Sequence, residues 1–281
     1  MSGKGGTGKT TVCAAFAAVT RNSVLADCDV DAPDLHILLQ PKIIEQEPFS
    51  GSEVAVIDRE ACTLCGLCEE RCQFGAAHPP GIDVIACEGC ALCEYVCPVG
   101  AVTMKPRTSG DIYGSATRFG PMFHARLLAG EGNSGKLVTE VRKRASEMAM
   151  KHGTRTILID GSPGIGCPVI ATLTGVDLAV IVTEPTLTGV HDMERVLELC
   201  SGLDVGTAVI INKYDINPDM TEQIVNYCTE SGVYVLGRIP FDPVVTDSMI
   251  ALLTLPEFAP TCRIALLMKD MWSQIVCLVS E

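Results

Sequence analysis

Gly3-Lys4-Gly5-Gly6-Thr7-Gly8-Lys9-Thr10, followed by Thr11 and a run of small apolar residues, decides how the rest of the chain is read. In a Gly-x4-Gly-Lys-Thr pattern the glycines let successive backbone N–H groups turn inward on a phosphate, at the positive end of the helix that follows. Lys9 is then placed to reach the β- and γ-phosphates of a nucleotide, and Thr10 to ligate Mg²⁺. Gly3, Gly5, Gly6, Thr7, Gly8 and Thr11 complete the expected phosphate cradle.

Outward from this loop, residues 11–20 read as its helix and Ser23 to Ala26 as a short buried strand ending at Asp27-Cys28-Asp29. Further on, strands are predicted at 156–159, 177–183, 207–212 and 234–237, and helices at 136–151, 190–201, 219–231 and after Asp242. Strands spaced by helices of this length predict an α/β fold, a parallel sheet with helices on both faces. Residues 110–135 read as a glycine-rich connection. The tail carries Met268, Met271, Trp272 and Ile275 at helical spacing and reads as a core helix.

From Pro41 the alternation breaks. Turn residues and two cysteine runs mark about 53–107 as a separate small unit, leaving 1–52 and 108–281 to the sheet domain. The runs are Cys62-x2-Cys65-x2-Cys68-x3-Cys72 and Cys87-x2-Cys90-x2-Cys93-x3-Cys97-Pro98. Such spacing sets three thiolates around one cuboidal iron–sulfur cluster and directs the fourth to another. One cluster would take Cys62, Cys65, Cys68 and Cys97; the other Cys87, Cys90, Cys93 and Cys72. Zinc prefers separated pairs and closes at four ligands, which fits less well. Phe74-Gly75-Ala76 echoes Val99-Gly100-Ala101, an internal repeat. The insert resembles a bacterial two-[4Fe–4S] ferredoxin of α+β type, although Gln73 stands where a proline usually follows Cys72. A core this small needs such staples.

The phosphate loop itself, with Lys4 added to the usual pattern, resembles that of the MinD/ParA and nitrogenase iron-protein superfamily of P-loop ATPases. The resemblance implies that Lys4 reaches across a homodimer to the other subunit's ATP. Asp27-Cys28-Asp29-Val30-Asp31 resembles switch I, with Asp29 orienting the attacking water. Asp160, delivered by Ile157-Leu158-Ile159, resembles the carboxylate that holds Mg²⁺ through water. Gly161-Ser162-Pro163-Gly164 resembles switch II, where a backbone N–H such as that of Gly164 would sense the γ-phosphate. Asn212-Lys213 and Pro240-Phe241-Asp242 resemble the segments that contact adenine. Only Met1-Ser2 precede Gly3, where the resemblance implies a full apolar strand, so the sheet is expected to lack its first strand and the loop its anchor. Taken whole, the chain is similar to MinD-superfamily ATPases containing an inserted ferredoxin domain.

Composition narrows the function. A formal charge of −13 argues against nucleic-acid binding and for a basic protein partner. No apolar run is long enough to cross a membrane, and no secretory signal precedes the loop. Eight cysteines at ferredoxin spacing place the protein in a reducing cytoplasm. The other seven read as small buried hydrophobes. Among them Cys167 alone stands at the offset from Asp160 where nitrogenase-type proteins hold a bridging cluster. His124 and His191 read as structural. The resemblance implies an ATP-hydrolysing switch with ATP, Mg²⁺ and two [4Fe–4S] clusters, passing electrons to a redox partner. The alternatives are a cluster carrier serving an accepting protein, and a MinD-like positioning ATPase whose insert is structural or redox-sensing.

Overall fold

A strand buried at nearly every position, as Val24–Cys28 and Thr207–Asn212 are, is satisfied only when helices cover its sheet from both sides, and that constraint shapes this chain. The computed structural model describes residues 1–20 and 22–280. In chain order the elements begin with α1 (Lys9–Thr20), β1 (Val24–Cys28), α2 (Leu35–Leu39) and β2 (Lys42–Phe49). A cysteine-rich stretch follows, with β3 (Ser52–Ile57), α3 (Leu67–Arg71), β4 (Ala77–His78), β5 (Gly81–Ile82), α4 (Leu92–Tyr95) and β6 (Val102–Arg107). Next come β7 (Gly110–Thr117), β8 (Gly120–Leu127), α5 (Ser134–His152), β9 (Ile157–Gly161), α6 (Cys167–Leu173), β10 (Ala179–Thr183) and α7 (Leu187–Gly202). The chain continues through β11 (Thr207–Asn212), α8 (Pro218–Glu230), β12 (Tyr234–Ile239), α9 (Pro243–Ile250), α10 (Leu255–Phe258) and α11 (Arg263–Leu278). Two compact units result, the second comprising Glu47–Asp111 with Leu127–Asn133 and the first the remainder.

In the first unit the strands form a five-stranded sheet of order β2-β7-β8-β1-β9 and a three-stranded sheet of order β10-β11-β12. β1 pairs parallel with β8 and β9, and β11 parallel with β10 and β12. β7 and β8 are joined by only Arg118-Phe119, a connection short enough for antiparallel neighbours alone. The fold is therefore α/β with a mixed sheet, not the wholly parallel sheet expected. β2, β7 and β8 lie where the sequence reading has a broken pattern and a glycine-rich connection. Their polar and glycine content masks the alternation, and pairing supplies what local propensity does not.

Met1-Ser2 stand between the two sheets. The Met1 ammonium donates to the Val180 carbonyl at 2.8 Å, and Val182 N–H donates to the Met1 carbonyl at 2.8 Å. On the other side Ser2 bridges to Pro163, and Gly164 N–H donates to the Ser2 carbonyl at 3.1 Å. The expected unanchored loop is thus corrected: two residues tie it to both β10 and the segment after β9.

β11 shows how the layers are built. Ala208 and Ile210 pack with Val12 and Phe16 of α1 and with Ile264, Met268 and Met271 of α11, while Val209 and Ile211 pack with Met193 and Val196 of α7 and Ile224 of α8. α11 is a core helix, with Phe16 and Trp272 ring centroids 5.6 Å apart. Three of the seven cysteines outside the runs, Cys28, Cys200 and Cys228, are buried as expected, but Cys167 and Cys277 are exposed.

In the second unit β3 and β6 pair antiparallel from Ser52↔Arg107 to Ile57↔Val102, and β4 pairs antiparallel with β5. The unit extends beyond 53–107 because Ser109 N–H donates to Phe49 O, Leu128 N–H to Ser109 O, and Arg107 pairs with Glu131. Its buried apolar core is Ala55, Ile57, Cys68, Ala77 and Val102, against which five more cysteines pack.

Arg118, in the β7–β8 turn, donates to Leu38 O and Leu39 O at 2.8 Å each and to both oxygens of Glu257 at 2.5 and 2.8 Å. Glu257 also closes the cap of α10 through Thr254. Burial alone would raise the Glu257 carboxyl, but hydrogen bonds from Arg118 and Thr254 hold it below its ordinary value. Its stabilising contribution is present above that ordinary value and is lost as pH falls through the depressed one. Arg118→Ala should cost about 1–2 kcal/mol at pH 7, and less at pH 3, measured by urea unfolding at the two pH values.

Candidate functional site

The phosphate loop owes its shape to glycines that no other residue replaces cheaply. Gly6 and Gly8 have φ of 81° and 92°, in the region L side chains avoid. A Cβ on Gly8 would also stand 2.5 Å from the Asn212 amide nitrogen. That amide donates to the Thr7 carbonyl at 2.8 Å, and its oxygen accepts from Lys213 N–H at 3.0 Å. Asn212 at the end of β11 therefore pins the loop.

α1 begins at Lys9 and carries its ammonium into a wall of carboxylates. Lys9 Nζ lies 3.2 Å from Asp160 Oδ1, 3.5 Å from Asp29 Oδ2 and 3.5 Å from Thr10 Oγ1. Strand register produces this meeting: Asp27 of β1 is the partner of Asp160 of β9, and Asp29 follows two residues later. Asp160 is 1% exposed, and its Oδ2 has no hydrogen-bond partner among the described residues. Asp27 is fully buried and accepts from the backbone N–H groups of Asp29 and Leu35 at 3.1 and 3.2 Å. It holds the segment that follows β1 to the strand end.

Burial works against every charge here. It raises Asp27 well above the ordinary carboxylate range, with Asp160 adding to the rise, and it raises Asp29 against the pull of Lys9. Burial would lower Lys9, but Asp160 and then Asp29 outweigh it and keep the ammonium above its usual value. One cation thus faces two acidic groups and an orphaned buried oxygen, an arrangement that a divalent cation would complete. Thr10 and Asp160 are the residues that fit Mg²⁺.

Around these groups opens a cavity of about 790 Å³, within the usual range for small-molecule sites. Gly5, Gly6, Gly8, Lys9, Thr10, Thr11, Asp29, Asn212, Pro240 and Asp242 line it, bringing most of the predicted residues together. Gly3, Lys4, Thr7, Asp160 and Gly164 are not in its wall. Thr7 is buried beneath the loop. Gly164 N–H donates to the Ser2 carbonyl. Asp242 caps α9 by accepting from Val244 N–H at 2.9 Å. Lys4 is folded onto its own subunit, 2.7 Å from Glu184.

Sequence reading missed the apolar end of the cavity, formed by Val245 and Met249 of α9, Leu255 of α10, and Ile264 and Met268 of α11. The amphipathic pattern of the tail signalled burial but not that part of the buried face borders a cleft. His124, as expected, is structural: it is buried, bonded to Ser115 Oγ at 3.1 Å, and pushed down to about 4 by burial and the neighbouring His36.

The second unit has two small cavities. One is lined by Cys62, Cys65, Cys68 and Cys97, the other by Cys72, Cys87, Cys90 and Cys93. Ala76 N–H donates to Cys72 Sγ at 3.3 Å and Ala101 N–H to Cys97 Sγ at 3.2 Å. Burial slightly opposes ionisation of these two thiols, but the surrounding backbone N–H groups hold both below the ordinary thiol value. No three Cys, His, Asp or Glu side chains among the described residues converge on a single metal-ion position. A cuboidal cluster differs in presenting one iron to each thiolate.

Comparison with known proteins places the sheet unit. The family model described as the CobQ/CobB/MinD/ParA nucleotide binding domain matches residues 1–253, and the chain belongs to this family. It is 35% identical over 245 residues to "uncharacterized protein MJ0578" of Methanocaldococcus jannaschii, covering 86% of this chain and 83% of the other. The fold is that of the cell division ATPase MinD of Pyrococcus furiosus, with a TM-score of 0.59 at 19% identity over 99% of this chain and 97% of that one. The septum site-determining protein MinD of Pyrococcus horikoshii, complexed with Mg-ADP, gives a TM-score of 0.58 at 18% identity over 98% of this chain and 93% of its own. No helix among the described residues is long and apolar enough to cross a membrane.

Lys9→Ala should abolish ATP binding, measured calorimetrically, and also lower stability, because it strands Asp160 and Asp29 without their cation. Asp29→Ala should leave binding within about threefold and lower the hydrolysis rate at least 10²-fold, the scale of a lost water-orienting group. Equal loss of binding in both variants would overturn the division of roles.

Proposed function

From this family membership and the geometry of its two units, we propose that the chain is an ATP-dependent dimeric switch whose inserted ferredoxin-like unit carries two [4Fe–4S] clusters and passes electrons to a partner. The observation that carries the reading is the composition of the two cysteine-lined cavities. Each draws three cysteines from one run and the last from the other, the exchange that two-cluster ferredoxin spacing calls for.

On the nucleotide side, the loop N–H groups and Lys9 bind the β- and γ-phosphates, which compete with Asp160 and Asp29 for the ammonium. Thr10 and Asp160 would hold Mg²⁺, as the Mg-ADP complex of a MinD of the same fold makes reasonable, and when bound it would supply charge neutralisation at the phosphates. Asp29 orients water at the mouth of the site. Its raised carboxyl suits a group that holds a proton of the nucleophile. The adenine-facing wall is Pro240 with the apolar residues of α9 to α11.

On the other side, Cys62, Cys65, Cys68 and Cys97 hold one cluster and Cys72, Cys87, Cys90 and Cys93 the second. When bound, the clusters supply one-electron carriers. The N–H groups of Ala76 and Ala101 stabilise the thiolate charge of Cys72 and Cys97. Closure of a homodimer around two ATP molecules, with Lys4 crossing to the partner, is the conformational change that a nucleotide with unequal affinity for two states can drive. The electron acceptor is expected to present a basic surface, since the second unit carries eleven Asp or Glu against four Lys or Arg, a net −7. A MinD-like positioning ATPase with a redox-sensing insert is the second reading, favoured by the MinD likeness of the sheet unit.

Anaerobic redox titration with electron paramagnetic resonance, with and without MgATP, separates the two. A shift of about 60 mV or more, tenfold for a one-electron couple, supports the electron switch. Two reducible clusters with no shift despite bound ATP would favour the positioning reading. Cys93→Ser should remove about half of the bound iron and leave ATP affinity unchanged; unchanged iron would sink the ligand assignment.

A further inference from the structure

Lys4 stands outside the wall of the phosphate cavity, and its side chain is held by Glu184 and two threonines. Its Nζ lies 2.7 Å from Glu184 Oε1 and donates to Thr188 Oγ1 at 3.1 Å and Thr186 Oγ1 at 3.5 Å. Thr186 is itself fixed as the cap of α7, accepting from Gly189 N–H at 3.0 Å. The other oxygen of Glu184 lies 3.3 Å from Lys213 Nζ, and Lys213 lines the nucleotide cavity. Glu184 is mostly buried, with a side chain 15% exposed, while the two lysines are about a third exposed.

We infer that Glu184 is a positioning residue that holds Lys4 within its own subunit and so sets the threshold for nucleotide-dependent dimerisation. The inference rests on the proposed reading of Lys4 as the residue that crosses the dimer. A mostly buried carboxylate that loses its only cation is costly, and the contact would then be permanent rather than switchable. Lys213 removes that obstacle. When Lys4 leaves, Glu184 keeps a counter-ion, so release costs one partly exposed ion pair and two hydroxyl contacts. Nothing buried is left uncompensated. Two arrangements of similar free energy follow, which is what a switch of modest cost requires. With Lys4 docked, hydrogen bonds from Lys4 and Lys213 outweigh burial and hold the Glu184 carboxyl below its ordinary value.

The sign of the effect distinguishes a clamp from a structural residue. In the full chain with Mg²⁺ and a non-hydrolysable ATP analogue, light scattering should show Glu184→Gln dimerising at about fivefold lower protein concentration than the unsubstituted chain, the scale of one partly exposed ion pair. Thr188→Val should shift dimerisation the same way by a smaller factor, and serves as a second reading if the Gln variant folds poorly. Lys4→Ala, alone or with Glu184→Gln, should not dimerise. Dimerisation of Glu184→Gln and Thr188→Val that is unchanged or weaker, with the unsubstituted dimer still dependent on Lys4, overturns the clamp and leaves the crossing lysine standing. A Lys4→Ala chain that dimerises normally overturns the crossing lysine, and the clamp falls with it.

Discussion

Parallel pairing of β1 with β9 brings Asp27 and Asp160 side by side in the interior, and the buried Lys9 ammonium makes that arrangement tolerable. Without the cation, Asp160 and Asp29 would face each other across a low-dielectric space where like charges repel strongly. Much of the surrounding structure serves to hold Lys9 there. α1 must start at Lys9, so the loop must reverse tightly before it, which positive-φ glycines allow. The loop must also be fastened, which Asn212 does from β11 and Ser2 from the segment after β9. The same ammonium that balances the apo site is the group phosphate oxygens attract. Phosphate binding therefore draws the ammonium away from the carboxylate wall, and the orphaned oxygen of Asp160 marks where the charge left behind would take a cation.

The two sheets of the first unit depend on that fastening as well. Backbone groups of Val180 and Val182 on β10 are satisfied by Met1, and those of Pro163 and Gly164 bridge to Ser2. A buried strand edge left unpaired would cost several unsatisfied donors and acceptors. Two residues are enough to meet the ladder where the strands converge. Helices supply the rest of the cohesion: α1 packs against both α2 and α11, so a shift of the loop at its N-terminus is felt by both neighbouring helices.

What the sequence disclosed follows from which signals are local. The strands β9 to β12 with α5, α7 and α8 were legible because branched apolar runs alternate with amphipathic ones at regular spacing, whereas the short α6, with Pro168 in its first turn, was not. β7 and β8 were not, since Gly110, Gly114 and Gly120 with polar neighbours read as a loop until partners supply pairing. The phosphate loop, Asp29 and Asp160 were legible because their spacing is itself the signal. Asn212 and Gly164 were named from motifs, and the hydrogen bonds that hold them, to Thr7 and Ser2, could not be read there. A motif gives a residue's neighbourhood but not how its donors are spent. The apolar end of the cavity lies far along the chain on α9 to α11, and no local pattern separates a core face from a cleft wall.

The second unit poses the opposite problem, because its sequence is rich in signal and its core is poor. The core cluster that β3, β6 and the short helices enclose has five buried residues, two of them alanine and one cysteine. Against them stands the entropy of ordering more than sixty residues, at roughly 1–2 kcal/mol each, and a surplus of acidic side chains that repel one another. A unit of this size normally requires disulfides or metals, and every cysteine in it is a free thiol. In the proposed reading the cluster ligands supply the missing cohesion, so that folding and cofactor loading are a single equilibrium. That coupling gives a reason for the backbone N–H groups around Cys72 and Cys97 to be arranged before any metal arrives. Thiolates already stabilised by fixed dipoles lose fewer protons on binding, and the site is drawn toward the charge state its ligand needs.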